Sequence, residues 1–323
     1  NSFTIYDTSD SQAVVKRILK EMNLDEKAFP YRAVLTEISR AKDSGITPEQ
    51  YLARAQATHN PRSIRIGEVY QTYWQRLFSA GAMDFDDLIY NTVRLLDEHE
   101  DVREHWQRRF RYVLIDEYQD TNNLQYQLAA LLADGWGNIC VVGDDDQSIY
   151  KFRGATIENI LNFEKQYKNA RTIRLEQNYR STGRILDAAN HVIANNTGRK
   201  GKTLWTKAEA GDPLTLYCAT NENDEARYVA TKIMDDFGHG MNFRDHAVLY
   251  RMNAQSNQLE YAFKRNGIPY RIIGGTRFFD RAEVKDMLAY LCVIQTPGDD
   301  LRLTRIINTP ARGIGARTVE TAA

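Results

Sequence analysis

The chain has 323 residues, more than one compact domain usually holds, so two or three folded units are expected. Its 42% hydrophobic and 26% charged residues are typical of a folded globular protein, which excludes a largely disordered chain. The formal net charge is −1, so a nucleic acid partner would have to be bound by local patches rather than by bulk charge.

The sequence carries no sign of a membrane or secreted protein. No apolar run reaches the roughly 18 residues that a membrane helix needs, and the chain does not open on a signal-peptide pattern. The three cysteines, Cys140, Cys218 and Cys292, match neither a disulfide framework nor a zinc pattern, which suits a reducing compartment. We therefore expect a cytoplasmic protein without a membrane partner.

The first quarter of the chain has the apolar spacing of short helices. Val14 and Ile18 are one example, and the pattern extends over residues 9–96. Within it, the run Asp84-Phe85-Asp86-Asp87 offers a cap and first-turn acids for a helix that continues to Leu96. This region is predicted to be a bundle of short helices.

The rest of the chain alternates β-rich runs with helical patterns. The first set has runs at 112–115, 139–142 and 172–175, with helices around 125–132 and 157–167. The second set opens with a helix at 183–194 and has runs at 214–219, 246–250 and 270–273, with helices at 224–235 and 256–266. Alternation of this kind predicts an α/β protein with two parallel-sheet domains, which bind ligands at the carboxyl ends of their strands.

Two acids directly follow the first β-rich run. Asp116 and Glu117 end the sequence Tyr112-Val-Leu-Ile-Asp-Glu, which is the Walker B arrangement. The first carboxylate can hold Mg²⁺, and the second can orient and deprotonate an attacking water. The alternative is a strand end with two solvated acids.

An acidic loop with aromatic residues follows the second β-rich run. The amide of Gln147 can report on a γ-phosphate by hydrogen bonding, and Tyr150 and Phe152 offer flat faces for nucleic acid bases. Arg153 can contact phosphate or stack on a base. In the alternative interpretation, the aromatic side chains belong to the core and the acids form a turn.

The third β-rich run ends in Gln177-Asn-Tyr-Arg-Ser-Thr182. Arg180 is a candidate for the arginine that stabilises transition-state charge during phosphoryl transfer, and Tyr179 can stack on adenine. The alternative is a helix cap at Ser181 beside an exposed arginine.

These three segments, in this order and spacing, resemble motifs II, III and IV of superfamily 1 DNA helicases, most closely those of the UvrD/PcrA (UvrD/Rep) family. Further segments at 83–89, 202–206, 247–256, 274–279 and 307–314 resemble the family as well. The resemblance implies an α/β fold with two RecA-like motor domains of the P-loop NTPase type and helical insertions. It assigns 1–85 to the first insertion, 86–172 to the rest of the first motor domain, 173–295 to part of the second, and 296–323 to the start of the second insertion.

The resemblance also implies an activity, which is ATP-dependent 3′-to-5′ translocation on single-stranded DNA in repair or replication. Carried over by position, Asp116 and Glu117 serve Mg²⁺ and water, Gln147 and Arg180 serve the γ-phosphate of ATP, and Tyr179 serves the adenine. The implied DNA contacts are Phe85, Tyr150, Phe152, Arg153, Arg251 and Asn253. The implied partners are single-stranded DNA and single/double-strand junctions, with repair or replication proteins beside them.

This sequence departs from the family pattern at two positions. Phe152 stands where a tryptophan is common, so a stacking face is kept but its area is reduced. Cys292 stands where an arginine is common, which puts a local contact at the end of the second motor domain in doubt.

No phosphate-binding loop of the form Gly-x-x-x-x-Gly-Lys-Ser/Thr occurs before the Walker B acids. The lookalike Gly201-Lys202-Thr203 has Asn196 at the first glycine position, follows a predicted helix and comes after Walker B, so Lys202 is expected on the surface. The resemblance therefore predicts an internal piece of a helicase that is inactive alone. Two alternatives stay open: a RecB/AddA-like helicase-nuclease subunit, and a non-catalytic module that binds DNA.

Overall fold

The computed structural model describes residues 3–151, 154–273, 282–296, 298–315 and 318–319. The chain divides into two compact units, one of residues 1–176, 190–203 and 282–323, the other of residues 177–189 and 204–281. Among the described residues, no helix is both long enough and apolar enough to span a membrane.

The amino-terminal part of the first unit contains most of its helices. In chain order its elements are β1 (Thr4–Tyr6), α1 (Thr8–Glu21), α2 (Tyr31–Asp43), α3 (Pro48–Ala57), α4 (Pro61–Ser79), β2 (Ala82–Asp84), α5 (Phe85–Glu98), α6 (Glu100–Arg109), β3 (Val113–Ile115), α7 (Asn123–Ala133), β4 (Ile139–Val141), α8 (Glu158–Leu161) and α9 (Phe163–Gln166). The helix α10 (Gly183–Ile193) contains residues of both units, and α11 (Glu222–Gly238) and α12 (Ser256–Arg265) belong to the second. The last two helices, α13 (Ala282–Gln295) and α14 (Asp300–Ile306), belong to the first.

The predicted helical bundle is confirmed in the first unit. Helices α1, α2 and α4 pack around a core that includes the fully buried rings of Tyr70 and Tyr73. The strands β1 and β2, which the sequence pattern did not predict, pair in parallel beside this core with Thr4 opposite Ala82. At the other end of the chain, buried Arg302 of α14 forms an ion pair of 2.6 Å with Asp10 of α1.

The predicted parallel pairing of the first two β-rich runs is also confirmed. β3 and β4 form a two-stranded parallel ladder in which Val113 faces Ile139 and Ile115 faces Val141. Helix α7 connects the two strands and begins with a capping box from Asn122 and Gln125. Because the strands are parallel and in register, the loops that follow them leave the sheet at the same edge.

The other predicted strands are wrong. Residues 172–175, 214–219, 246–250 and 270–273 lie in the described part of the chain, and none of them forms a strand. Leu175, Leu216 and Leu249, which lie in three of these runs, are 80%, 88% and 90% exposed. A β-strand needs a partner for its backbone N–H and C=O groups, and an apolar run does not specify that partner.

The second unit is built around two helices. Ala230 and Ile233 of α11 pack on Phe263 of α12 and on Ile268, which follows it. Near the start of this unit, Gln177 and Trp205 form an isolated parallel β-bridge. The helices predicted at 183–194, 224–235 and 256–266 are all present, with ends shifted by a few residues.

Candidate functional site

The carboxyl ends of β3 and β4 bring two of the sequence motifs together. The Val142 N–H donates to the Ile115 carbonyl at 2.8 Å, and the Tyr118 N–H donates to the Val142 carbonyl at 3.0 Å. The acids Asp116 and Glu117 directly follow β3, and the loop 144–147 follows β4, so both lie at one edge of the ladder.

Gln119, which was not among the predicted site residues, links these two motifs. Its side chain is fully buried, its Nε2 donates to the Glu117 carboxylate at 2.8 Å, and its Oε1 accepts from the Asp144 N–H at 2.9 Å. A buried amide with both ends bonded holds its neighbours in one arrangement. Gln119 therefore fixes Glu117 relative to the loop that carries Gln147. The only feature of the sequence that could have pointed to this role is that Gln119 is an uncharged polar residue between the acids of the motif.

Gly143 packs closely against this link. A Cβ atom at this position would lie 2.6 Å from the Gln119 Oε1 and 2.7 Å from the Ile160 Cδ1, both closer than van der Waals contact allows. A larger residue would force the Gln119 amide and the Ile160 side chain to shift. The glycine at the end of the strand thus serves close packing rather than a special backbone angle.

The two acids after β3 are exposed, and one has an unusual backbone conformation. Glu117 has φ 51° and ψ 40°, in the left-handed region that non-glycine residues seldom adopt, at a cost on the order of 1–3 kcal/mol. The Oδ1 of Asp116 accepts from the Glu117 N–H at 2.9 Å. The strained turn directs the backbone away from the strand directly after the ladder, and it leaves both carboxylates accessible to solvent.

The donor set at this edge fits a hydrated Mg²⁺ ion. Mg²⁺ prefers one or two carboxylates together with waters and substrate phosphates, and it seldom occupies a cage made wholly of protein ligands. Asp116 is an exposed carboxylate with lone pairs beyond the one that accepts from Glu117. It could hold the ion through its water shell.

The loop 144–147 carries the predicted sensor amide. Gln147 is exposed, and its Nε2 donates to the Asp144 carboxylate at 2.8 Å. Three acids, Asp144, Asp145 and Asp146, lie close enough together to hold a cation. In the structure the ammonium of Lys202 lies among them, so the expectation that Lys202 sits on the surface is wrong: its side chain is only 18% exposed.

A cavity of about 690 Å³ in the first unit contains two of the predicted DNA contacts. Phe85 and Tyr150 line it and are 56% and 40% exposed, so neither ring belongs to the core. Arg32 and Arg40 line the same cavity and could face a phosphate backbone. The predicted contacts Phe152 and Arg153 lie outside the described residues.

The cavity also contains a carboxyl group with a shifted pKa. Burial, together with the nearby charge of Asp86, raises the pKa of Asp43 to about 6. Its Oδ1 accepts from the Asn122 Nδ2 at 2.8 Å. The negative charge of the cavity wall therefore increases as the pH rises through about 6.

A buried ion cluster supports Phe85. The ammonium of Lys42, which is 1% exposed, lies 2.7 Å from both the Asp84 and the Asp87 carboxylates. Tyr73 donates to Asp84 at 2.8 Å, and Asp84 caps α5. Because Phe85 is the first residue of α5, the cluster fixes the start of the helix that carries its ring.

The remaining predicted site residues belong to the second unit. Tyr179 and Arg180 are exposed, and the Asn178 side chain accepts from the backbone N–H groups of Arg180 and Ser181 at 2.9 and 2.8 Å. Arg251 is exposed beside the short 3₁₀ turn Asn253–Gln255. Both segments are turns with accessible side chains.

Family models match nearly the whole chain. The UvrD/REP helicase N-terminal domain matches residues 1–168, and the UvrD-like helicase C-terminal domain matches residues 173–322. The chain belongs to the UvrD/REP helicase family. Helicase domains of this type imply RecA-like motor domains, which agrees with the predicted fold class at this level.

The curated proteins compared with this chain share the same description. The chain is 48% identical over 320 residues to "ATP-dependent DNA helicase PcrA" of Bacillus subtilis (strain 168), a match that covers 99% of this chain and 43% of the relative. The proteins of the same description from Staphylococcus epidermidis (strain ATCC 12228 / FDA PCI 1200) and Staphylococcus aureus (strain NCTC 8325 / PS 47) are 48% and 47% identical over 319 residues, with the same two coverages. The chain thus spans less than half the length of these relatives.

Proposed function

We propose that this chain contributes to an ATP-dependent DNA helicase that moves in the 3′-to-5′ direction along single-stranded DNA and hydrolyses ATP with Mg²⁺. The observation that carries the proposal is the link through Gln119, which joins the acids after β3 to the sensor loop after β4. The family and the description of the relatives as ATP-dependent DNA helicases support it.

In the proposed reaction, the two acids have different roles in phosphoryl transfer. Asp116 would hold the hydrated Mg²⁺, which would supply positive charge to the phosphates of ATP. Glu117 accepts a proton from the attacking water, and Gln119 keeps its carboxylate in place through the 2.8 Å hydrogen bond. The exposure of both acids leaves room for water and nucleotide.

Three further residues would bind the nucleotide. Gln147 senses the γ-phosphate from the loop after β4, and Arg180 supplies a cation to the transition state. Tyr179 stacks on adenine. Arg180 and Tyr179 are both exposed on a turn held by Asn178, which supports their availability to a ligand.

The proposed DNA contacts are aromatic and cationic side chains. Phe85 and Tyr150 offer ring faces in the cavity of the first unit, where bases of a single strand could stack. Phe152 and Arg153 follow Tyr150 closely in sequence, and Arg251 and Asn253 would contact DNA from the second unit. Single/double-strand junctions, and repair or replication proteins, complete the proposed partners.

The domain assignment is part of the same proposal. Residues 1–85 correspond to the first helical insertion, 86–172 to the rest of the first motor domain, 173–295 to part of the second, and 296–323 to the start of the second insertion. The change of family model between residues 168 and 173 supports the second of these boundaries.

Replacing Phe85 with alanine should weaken single-stranded DNA binding. Loss of one stacking face is expected to reduce affinity by roughly 1–3 kcal/mol, and because the ring is 56% exposed the fold should be little affected. Fluorescence anisotropy with a labelled oligonucleotide measures the affinity. Phe78→Ala is the matched control, since this ring on α4 is 82% exposed and does not line the cavity. Equal affinities of the two variants would remove Phe85 from the DNA site.

The proposed function is tested with the natural polypeptide that contains this chain. It should hydrolyse ATP faster when single-stranded DNA is added, and should unwind a duplex with a 3′ single-stranded tail but not one with a 5′ tail. The 323-residue chain alone, whose sequence contains no Gly-x-x-x-x-Gly-Lys-Ser/Thr loop, should hydrolyse none. Preference for the 5′ tail would reverse the proposed direction, and activity of the chain alone would contradict the assigned motifs.

A helicase-nuclease subunit is not favoured, because the relatives compared above are described as helicases without mention of nuclease activity. A DNA-binding module without catalysis predicts DNA affinity with no ATP turnover in the natural polypeptide, so the same assay separates it from the helicase.

A further inference from the structure

We propose that Arg199 and Lys202 form a cationic clamp that positions the loop 144–147, and with it Gln147, for ATP hydrolysis. The inference rests on the proposed function. It gives a role to a segment whose lookalike motif, Gly201-Lys202-Thr203, does not fit a phosphate-binding loop. In this proposal the two cations are positioning residues, because they act on the nucleotide through the acidic loop.

The clamp contacts all three acids of the loop. Arg199 holds Asp146 with two parallel contacts, Nε to Oδ1 at 2.6 Å and Nη2 to Oδ2 at 2.7 Å. Lys202 donates to the Asp144 carboxylate, and its Nζ lies 3.7 Å from oxygens of both Asp145 and Asp146. Bidentate and charge-assisted contacts of this kind are the strongest that side chains form.

The clamp segment is itself held in shape. The Arg199 Nη2 also donates to the Lys202 carbonyl at 2.7 Å, which closes the segment 199–202 on itself. The Arg174 Nη1 donates to the Gly201 carbonyl at 3.1 Å, and the Lys200 N–H donates to the Asp145 carboxylate at 2.6 Å. The two cations are thus presented by a turn with its own hydrogen bonds rather than by a loose surface loop.

Asp144 transmits the effect of the clamp to the predicted site. One carboxylate accepts from Lys202, from the Gln147 amide and from the Asp146 N–H, and the Asp144 backbone donates to Gln119. Burial raises the pKa of Asp144, but the hydrogen bonds from Lys202 and Gln147 outweigh it, so the pKa is lowered overall. Asp144 therefore stays ionised and holds the sensor amide.

The clamp also reduces the negative charge of the acidic loop. Three adjacent carboxylates repel one another and would repel a triphosphate at the same edge of the sheet. The side chains of Asp145 and Asp146 are each 13% exposed, so water screens them little. Two cations offset most of this charge. Removing one cation leaves three partly buried carboxylates with a single counterion, which favours a rearranged loop.

The test compares Lys202→Met with Lys200→Met in the natural polypeptide that contains this chain. The Lys200 side chain pairs with Glu164 at 3.2 Å, outside the acidic loop, and its contact with Asp145 is made by the backbone N–H, which methionine keeps. This variant therefore removes the same charge without opening the clamp. Lys202→Met should lower kcat for ATP about 10- to 100-fold through misplacement of Gln147, with less change in the affinity for a non-hydrolysable ATP analogue. Lys200→Met should keep the wild-type kcat.

A charge swap keeps the proposal testable if single variants fold poorly. Arg199→Asp alone adds a fourth carboxylate to the cluster and should lower kcat. Combined with Asp146→Arg, it restores an ion pair of opposite orientation and should recover part of the lost activity. A double variant no better than the single one would overturn the clamp.

Amide hydrogen exchange of residues 143–150 provides a readout that does not depend on catalysis. Lys202→Met should accelerate exchange in this segment, and Lys200→Met should not. Unchanged exchange, or faster exchange with unchanged kcat, overturns the proposal. A wild-type polypeptide that hydrolyses no ATP contradicts the proposed function instead, and the exchange rates then test the clamp by themselves.

Discussion

Glu117→Gln should lower ATP hydrolysis by the natural polypeptide on the order of 10²- to 10⁴-fold, the usual contribution of a general base. A glutamine amide cannot accept the proton of the attacking water. It keeps an oxygen that can accept from the Gln119 Nε2, so the link between the two motifs should survive. ATP binding should therefore be retained, and a fluorescent ATP analogue and a phosphate-release assay measure binding and hydrolysis separately.

Glu26→Gln serves as the control for this prediction, because Glu26 is an exposed acid in the segment between α1 and α2. It should change neither binding nor hydrolysis. If Glu117→Gln lost both together, Glu117 would be needed for the structure of the site rather than for proton transfer. Undiminished hydrolysis would exclude it as the base.

Lys42→Met should destabilise the protein by about 3–5 kcal/mol, the usual effect of removing one partner from a buried ion pair. The methionine fills most of the space but leaves the Asp84 and Asp87 carboxylates buried without their counterion. Even with Lys42 present, burial raises the pKa of Asp87 to about 6, with the Asp84 charge adding to the effect. Urea denaturation followed by circular dichroism measures the loss.

The pH dependence of this loss has a definite sign. Without Lys42 the folded-state pKa values of both carboxyls rise above their unfolded values, so the destabilisation should be largest at neutral pH and should shrink as the pH falls and the carboxyls are protonated. Lys27→Met, at an exposed lysine, is the matched control and should change stability little. Stability of Lys42→Met equal to that of the control would mean that the cluster contributes nothing to folding.

Most helices were predictable from the sequence because their signals are local. Asp84 and Asp87 form the expected cap at the start of α5, and the predicted helices at 125–132 and 256–266 match α7 and α12. Capping boxes and apolar spacing act within a few residues, so they can be recognised without knowledge of the fold. The motifs after β3 and β4 were recognisable for the same reason.

Strand pairing was predicted less well. The pairing of β3 with β4 is present, whereas the apolar runs at 172–175 and 214–219 are not strands. Each run looked alike in sequence. They differ in whether another segment pairs with them in the folded chain. A strand is stabilised by hydrogen bonds to such a segment, which lies far away in the sequence.

The family could be recognised from the sequence itself, and so could the predicted Walker B acids and the predicted sensor loop, because all three depend on residue types in a short fixed order. The tertiary structure decided what holds the acids and the loop. Gln119 reaches Asp144 across 25 positions, Lys42 reaches Asp84 across 42, and Lys202 reaches Asp144 across 58. Contacts over such separations depend on how elements pack and on which charges burial brings together. The same lysine that resembled part of a phosphate-binding loop thereby became a counterion, because folding placed it among three carboxylates.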